Sequence, residues 1–520
     1  MTAFKDELEA GYGFTDPAIV LGAAVHENVV FPEPRVKIPL AMMNRHGLIA
    51  GATGTGKTRT LQMITEQLSA SGVPVFVCDI KGDLSGIAAP GESNEKIASR
   101  MKDIGMEWAP YAVPVEFVSL SGKLGPQLRA TVSSFGPLLL SKVLDLNDTQ
   151  TSVLSLVFKF ADQNRLPLLD FDDLRSVLHY LTSDEGKAAL RQYGGISAQS
   201  VGVLLRKMVE LEQQGARDFF GEPEFDVRDL LHVTLDGRGV VTCLEVADVQ
   251  DKPKLFSTFM MWLLAELYQT LPEAGDLAKP KLCFFFDEAH LLFDDASKAF
   301  LDQIEQVVRL IRSKGVGVYF VTQTPKDVSE GVLAQLGNRI QHALRAFTPR
   351  DDAALRATAR TFPRTAFYDL EETLTTLGVG EAVVTVLDPR GVPTPAVATR
   401  LRLPGGRMTP LTPAELEADI QSSDFLAAYG TPINRESAHE ILARRLTAAA
   451  VPSGPAPDVP PAEASARGGG VIGKVAKVAG SAVVGALASN IGRTVGRELV
   501  RGLFGMLGAR PPRGTTRRRR

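Results

Sequence analysis

The stretch Gly51-Ala-Thr-Gly-Thr-Gly-Lys57-Thr58 constrains this chain more than any other feature. It is preceded by HGLIAG, which has the character of a short buried strand, and runs into TRTLQMITEQLSASG, which is patterned as an amphipathic helix. G-x4-G-K-[ST] in a strand–loop–helix setting is a phosphate-binding loop. Small residues let the backbone N–H groups turn inward around phosphate oxygens, and the helix adds the positive end of its dipole. Lys57 is expected to reach the β and γ phosphates as a point charge, and Thr58 to give a hydroxyl to Mg²⁺. The residues expected around the nucleotide are Gly51, Thr53, Gly54, Thr55, Gly56, Lys57, Thr58 and Arg59. Val73 to Ile80 follows as a buried strand. Strand, helix, strand in that order implies a right-handed crossover and a parallel sheet.

The expected second half of such a site is Cys283-Phe-Phe-Phe-Asp287-Glu288. An apolar run buries a central strand and delivers carboxylates at its C-terminal end, where α/β sheets bind ligands. Asp287 would hold Mg²⁺, and Glu288 would polarise the attacking water, which points to NTP hydrolysis. Gln323 ends another strand, GVYFVTQ, where a side-chain amide can orient water near a γ-phosphate; the alternative is a polar cap at a strand end. Transition-state charge on the γ-phosphate is commonly met by an arginine, from the same chain or a neighbour. Arg312 and Arg339 are the candidates, with Arg309 and Arg345 beside them, each set against an ordinary surface arginine. Asp79, Lys81 and Asp83, just after the second strand, either touch nucleotide, Mg²⁺ or a neighbouring subunit, or form a solvated turn. Asp287-Glu-Ala-His290 spells the signature of a helicase class with two tandem motors. One phosphate loop does not supply the second motor, so the spelling reads as coincidence, and His290 as a packing residue in preference to a minor contact in the site.

The chain has 520 residues, 44% hydrophobic and 22% charged, which excludes a disordered protein. Cys78, Cys243 and Cys283 are too few and too scattered for a disulfide framework or a structural zinc site, and read as buried thiols. The N-terminus carries acids and no apolar core of a secretory signal, so a cytoplasmic address is expected. The net charge of -3 conceals an asymmetry. From Arg467 onward there are 12 Lys and Arg and one acid, Glu498, whereas the remainder holds 45 bases and 59 acids. A basic tail on an acidic body suits a polyanionic partner.

The pattern divides the chain into a short β-rich lead-in (1–44), an α/β core in two pieces (45–126 and 233–405), an all-helical insertion between them (127–232), C-terminal helices (406–450), a Pro/Ala linker (451–466) and a Gly/Ala-rich segment with a basic tail (467–520). Asp172 and Ser197 stand where helix N-caps would. Ala382 to Leu401 reads as a hairpin turning at Pro389 to Gly391. Val478 to Gly492, the longest uncharged stretch of the tail segment, is too short to span a bilayer. That segment is expected to pack on a copy of itself or on the core, with a place on a membrane surface as the alternative.

RHGLIAGATGTGKT, CDIKGDLSG, FFFDEAHLLF and VTQTP, in this order, resemble the HerA/FtsK group of RecA-like ATPases. LLLSKVLDLNDTQTSVLSLVF, with the glycine-rich basic tail, is similar to the bacterial YjgR-like branch of HerA-like proteins. The resemblance implies a RecA-like α/β fold with a mostly parallel central sheet. It also implies a homo-oligomer, a hexameric ring, with ATP and Mg²⁺ between subunits, an arginine supplied in trans and DNA driven through the pore. Its nucleotide roles fall on Lys57, Thr58, Asp287, Glu288 and Gln323. Residues 1–44 are too few for the full N-terminal β-barrel of HerA proper, so the dock for a partner nuclease is expected to be missing. The rival expectations are a remodelling ATPase acting on a protein or membrane-attached complex, through a partner bound by the tail, and a nucleotide-gated scaffold.

Overall fold

A computed structural model of the chain describes residues 2–190, 195–293 and 298–450. The linker and tail expectations for 451–520 lie outside the described residues. The rest is organised around one eleven-stranded sheet, ordered β2-β1-β11-β10-β9-β3-β8-β7-β4-β6-β5. The strands are β1 (Ala18–His26), β2 (Val29–Pro39), β3 (Gly47–Ala50), β4 (Val75–Asp79), β5 (Val115–Ser119), β6 (Val241–Glu245), β7 (Leu282–Phe286), β8 (Val316–Thr322), β9 (Asn338–His342), β10 (Glu381–Thr385) and β11 (Val397–Leu401). From β9 to β5 every neighbouring pair is parallel. β10, β11, β1 and β2 extend the sheet antiparallel.

The alternation of side chains along each strand sorts the core into two layers. Phe284 and Phe286 of β7, with Phe76, Val318 and Phe320, face one side, where they meet Trp262, Phe259 and the helices between Val132 and Phe219. Cys283 and Phe285, with Val75, Val77, Tyr319 and Val321, face the other side. There they bury Leu61, Ile64 and Leu68 of the helix that follows the phosphate loop. A strand coated on both faces must be apolar throughout, which is why LCFFF reads as an unbroken run. The three cysteines are free and buried.

Three features depart from the sequence expectation. A helix, α1 (Thr2–Tyr12), precedes the lead-in hairpin and buries Phe4, Leu8 and Tyr12. β5 was not anticipated; it closes the parallel edge beside β6. The helix Phe171–Thr182 is capped by Asp170, not Asp172, in a reciprocal box. The Asp170 carboxylate accepts from Asp173 N at 3.0 Å while Asp173 accepts from Asp170 N at 3.2 Å, and Asp172 pairs with Arg175 instead. Ser197 caps its helix as expected. The β10–β11 hairpin turns where expected, Gly391 N donating to Asp388 O at 2.8 Å. Among the described residues no helix is long and apolar enough to cross a membrane.

Candidate nucleotide site

The loop between β3 and α2 (Lys57–Ala70) sits at the C-terminal ends of the parallel strands. Gly51 N donates to Thr322 O at 3.2 Å and Ala52 N to Ala343 O at 2.8 Å, so the loop is pinned between the ends of β8 and β9. The fit there is close: a Cβ on Gly51 would lie 2.4 Å from that of His342. Gly56, at φ 111°, is the helix N-cap and offers no side chain to the first-turn N–H groups. Those donors are left for an acceptor that is not part of the helix, which suits an anion.

Lys57 is buried, and its ammonium donates to Gly51 O at 2.8 Å and Ala52 O at 3.3 Å. Burial pulls its pKa down from the ordinary lysine value. Thr53 and Gly54 are exposed at the loop tip. The Thr55 hydroxyl donates to Ala52 O at 2.7 Å, closing the loop on itself. Thr58 and Arg59 are partly exposed in the first turn of α2, and the Arg59 guanidinium donates to Gln62 at 3.2 Å.

Asp287 directly follows β7 and is 2% exposed. One carboxylate oxygen accepts from Glu288 N at 3.0 Å, and the other has no partner among the described residues. Burial first, then the charges of Glu288 and Asp79, pushes its pKa up to about 7. A buried carboxylate oxygen with no partner fits a site built for a cation, as the phosphate loop fits a triphosphate. Glu288 adopts φ 46°, a left-handed conformation that costs a residue with a side chain about 1 kcal/mol or more. Its side chain is buried, one oxygen paired with the Lys81 ammonium and the other 3.3 Å from His290 Nδ1. Of the two readings of His290, this contact favours the minor contact over packing alone.

β8 lies between β3 and β7, so Gln323, exposed just past its end, stands at the same sheet edge as the loop and the acids. Asp79 is fully buried and is not part of a solvated turn. Its carboxylate accepts from Lys81 N at 3.1 Å, Gly82 N at 2.8 Å and Leu84 N at 2.7 Å. Carboxylate oxygens of Asp79, Asp83 and Asp287 lie within 4.8 Å of one another.

The arginines are placed elsewhere. Arg312 precedes β8 and is exposed at the opposite, N-terminal edge of the sheet. Arg339 pairs laterally with Leu48, early in β3. Its guanidinium faces the carbonyls of Leu333, Leu336 and Thr361, each at 3.5 Å. Neither is brought to this chain's own loop. Arg309 is exposed on the helix that precedes β8, and Arg345, past the end of β9, donates to Thr375 O at 2.8 Å.

Sequence reasoning missed the support beneath the loop. His342, fully buried at the end of β9, has Nε2 3.0 Å from the Thr60 hydroxyl. Burial, with the nearby Lys57 charge, holds its pKa down to about 4, so it stays neutral. Gly380 N donates to Thr55 O at 2.9 Å, fastening β10 to the loop. No local pattern marks either residue, because both contacts span several hundred positions.

Comparison with known proteins gives the family of the chain. The chain is 22% identical over 383 residues to the DNA double-strand break repair helicase HerA of Saccharolobus solfataricus, covering 74% of this chain and 68% of that protein. It is 21% identical to the HerA helicase of Sulfolobus acidocaldarius, covering 74% and 69%. Among solved structures, the unbound bacterial conjugative coupling protein TrwBΔN70 aligns with a TM-score of 0.49 at 14% identity, covering 78% of this chain and 99% of that one. The plasmid coupling protein TrwB in complex with ADP and Mg²⁺ aligns with a TM-score of 0.44 at 15% identity, covering 77% and 99%. The model of the HerA-like helicase C-terminal family matches residues 28–512, nearly the whole length, and the chain belongs to that family.

Proposed function

We propose that this HerA-type ATPase is a ring motor, a hexamer, that binds ATP and Mg²⁺ at the β3–α2 loop and drives DNA through its pore. The observation that carries the hydrolytic part is the juxtaposition at one sheet edge. A lysine inside an uncapped phosphate loop lies near a buried acid pair, each member of which has a carboxylate oxygen that accepts no hydrogen bond among the described residues.

In this reading the loop N–H groups and Lys57 hold the phosphates, with Gly51, Thr53, Gly54, Thr55 and Gly56 forming the cradle and Arg59 its flank. Thr58 and Asp287 would hold Mg²⁺, which supplies charge neutralisation at the phosphates. Glu288 accepts a proton from water, and Gln323 orients that water. Arg312 and Arg339, remote from this chain's own loop, would serve only a neighbouring copy. DNA as the polymer rests on family membership and on the names of the curated relatives, together with the basic tail. A cytoplasmic address belongs to the same reading.

The test is ATP turnover by size-fractionated protein with and without single- and double-stranded DNA. Stimulation confined to the oligomeric fraction supports the DNA motor. Turnover indifferent to DNA overturns it in favour of a remodelling ATPase, for which the acidic body is the better match.

A further inference from the structure

We propose that Lys81 is a positioning residue for Glu288: its ammonium grips the carboxylate and fixes where that carboxylate stands relative to the phosphate loop. The inference deepens the hydrolytic reading above and rests on the assignment of Glu288 as the proton acceptor.

The grip is built from the sheet outward. β4 and β7 are parallel neighbours, with Cys78 opposite Phe286, so Asp79 and Asp287 emerge side by side at the same edge. Beyond Asp79 the chain makes a turn whose shape is set by a single side chain. The buried Asp79 carboxylate takes the N–H groups of Lys81, Gly82 and Leu84, leaving the turn little freedom. That turn aims Lys81 across the strand boundary, 207 positions away in sequence, at the Glu288 carboxylate.

The exposures of the two partners differ sharply. The Lys81 side chain is 45% exposed and that of Glu288 6%. The lysine reaches inward from solvent to a carboxylate that has Asp287 beside it, with Asp79 and Asp83 close to Asp287, and His290 Nδ1 3.3 Å from its other oxygen. A buried carboxylate near like charges needs a cation to remain where it is. Lys57 is turned to the carbonyls of its own loop, so among the described residues Lys81 is the lysine paired with this acid. The backbone of Glu288 is held at φ 46°, so the side chain's direction depends on what holds its far end. A carboxylate that must face a small nucleophile loses efficiency steeply when displaced.

Five proteins test this as full-length chains: wild type, Lys81→Met, Lys81→Arg, Glu288→Gln and Lys81→Met/Glu288→Gln. Without nucleotide, Lys81→Met is expected to lower the melting temperature. The double variant is expected to melt above Lys81→Met, because the stranded charge has gone. With ATP and Mg²⁺, Lys81→Met is expected to lower kcat roughly 10–100-fold while KM stays within about twofold. Lys81→Arg is expected to recover most of that loss. Adding Lys81→Met to Glu288→Gln is expected to cost nothing further.

Additive melting shifts, multiplicative losses in kcat, or a raised KM at unchanged kcat would each overturn the role of Lys81, the last pointing to a phosphate contact. Wild-type turnover by Glu288→Gln would overturn the assignment of Glu288 itself. The melting cycle in nucleotide-free protein separates these two failures, because it reports the grip whether or not Glu288 takes a proton.

Discussion

The ammonium of Lys57 donates to the carbonyl of Gly51, 2.8 Å away and six positions earlier, so the phosphate loop is closed by its own lysine. The loop is therefore already folded around a positive charge. A phosphate must draw that charge off a carbonyl, an exchange that favours the stronger, charge-assisted bond.

Lys57→Ala removes both the closure and the charge. We expect ATP affinity to fall by about 2–4 kcal/mol, beyond ordinary calorimetric detection, with the fold retained. Near-normal affinity in a calorimetric titration would refute the placement of phosphates at this loop.

Gly51→Ala tests the loop's seating without touching charge. The added Cβ would meet the His342 Cβ at 2.4 Å and the Thr55 hydroxyl at 3.0 Å, so the loop has to shift. Overpacking of this kind costs about 1–3 kcal/mol. A fluorescent ATP analogue should bind about tenfold more weakly or worse. Affinity equal to wild type would show that the loop relaxes freely.

Glu66, buried on α2, accepts from Gly405 N and Gly406 N, both at 2.8 Å. Those partners lie more than three hundred positions away, so one side chain holds the loop after β11 against the helix. Glu66→Ala leaves two buried donors unpaired and is expected to cost about 2–4 kcal/mol of stability. Equilibrium urea unfolding of the variant checks this; a loss below about 0.5 kcal/mol, the usual range for a surface change, would contradict the staple.

The buried His46 accepts from Val318 N at 3.0 Å through Nδ1, and burial holds its pKa down to about 4. The unfolded chain takes up that proton near pH 6.5, so between about 6.5 and 4 the unfolded state binds more protons. Stability linked to this site is whole above that window and falls as the pH drops through it. From pH 7 to pH 5 the loss should reach about 2 kcal/mol. His46→Gln should flatten the urea midpoint between those values relative to wild type; an unaltered slope would remove His46 from the account.

The parts legible in the sequence were those whose meaning lies in adjacent residues. The spacing from Gly51 to Thr58 requires a loop opening a helix, and CFFFDE requires a strand delivering two acids, so the positions of Lys57, Asp287 and Glu288 along the fold could be read directly. The Asp170 cap was misplaced by two residues because DFDDL offers three acids within four positions, and only the reciprocal bond with Asp173 selects among them. α1 went unread because TAFKDELEAGY carries a glycine and three buried residues whose partners lie in distant strands. The Lys81–Glu288 pair and the His342 support depend on strand order, which no local pattern encodes. Strand direction also moved Arg312 and Arg339 to the far edge, a distinction invisible until the register of β8 and β9 was known.

Gly380 bonds in two directions, its N–H to Thr55 and its carbonyl to the N–H of Leu401, which in turn lies opposite Gly22 of β1. A chain of backbone contacts thus runs from the rim of the phosphate loop to the first hairpin of the chain. A shift of that rim would be expected to pull on the amino-terminal strands, which places the lead-in hairpin to feel, or to load, the loop.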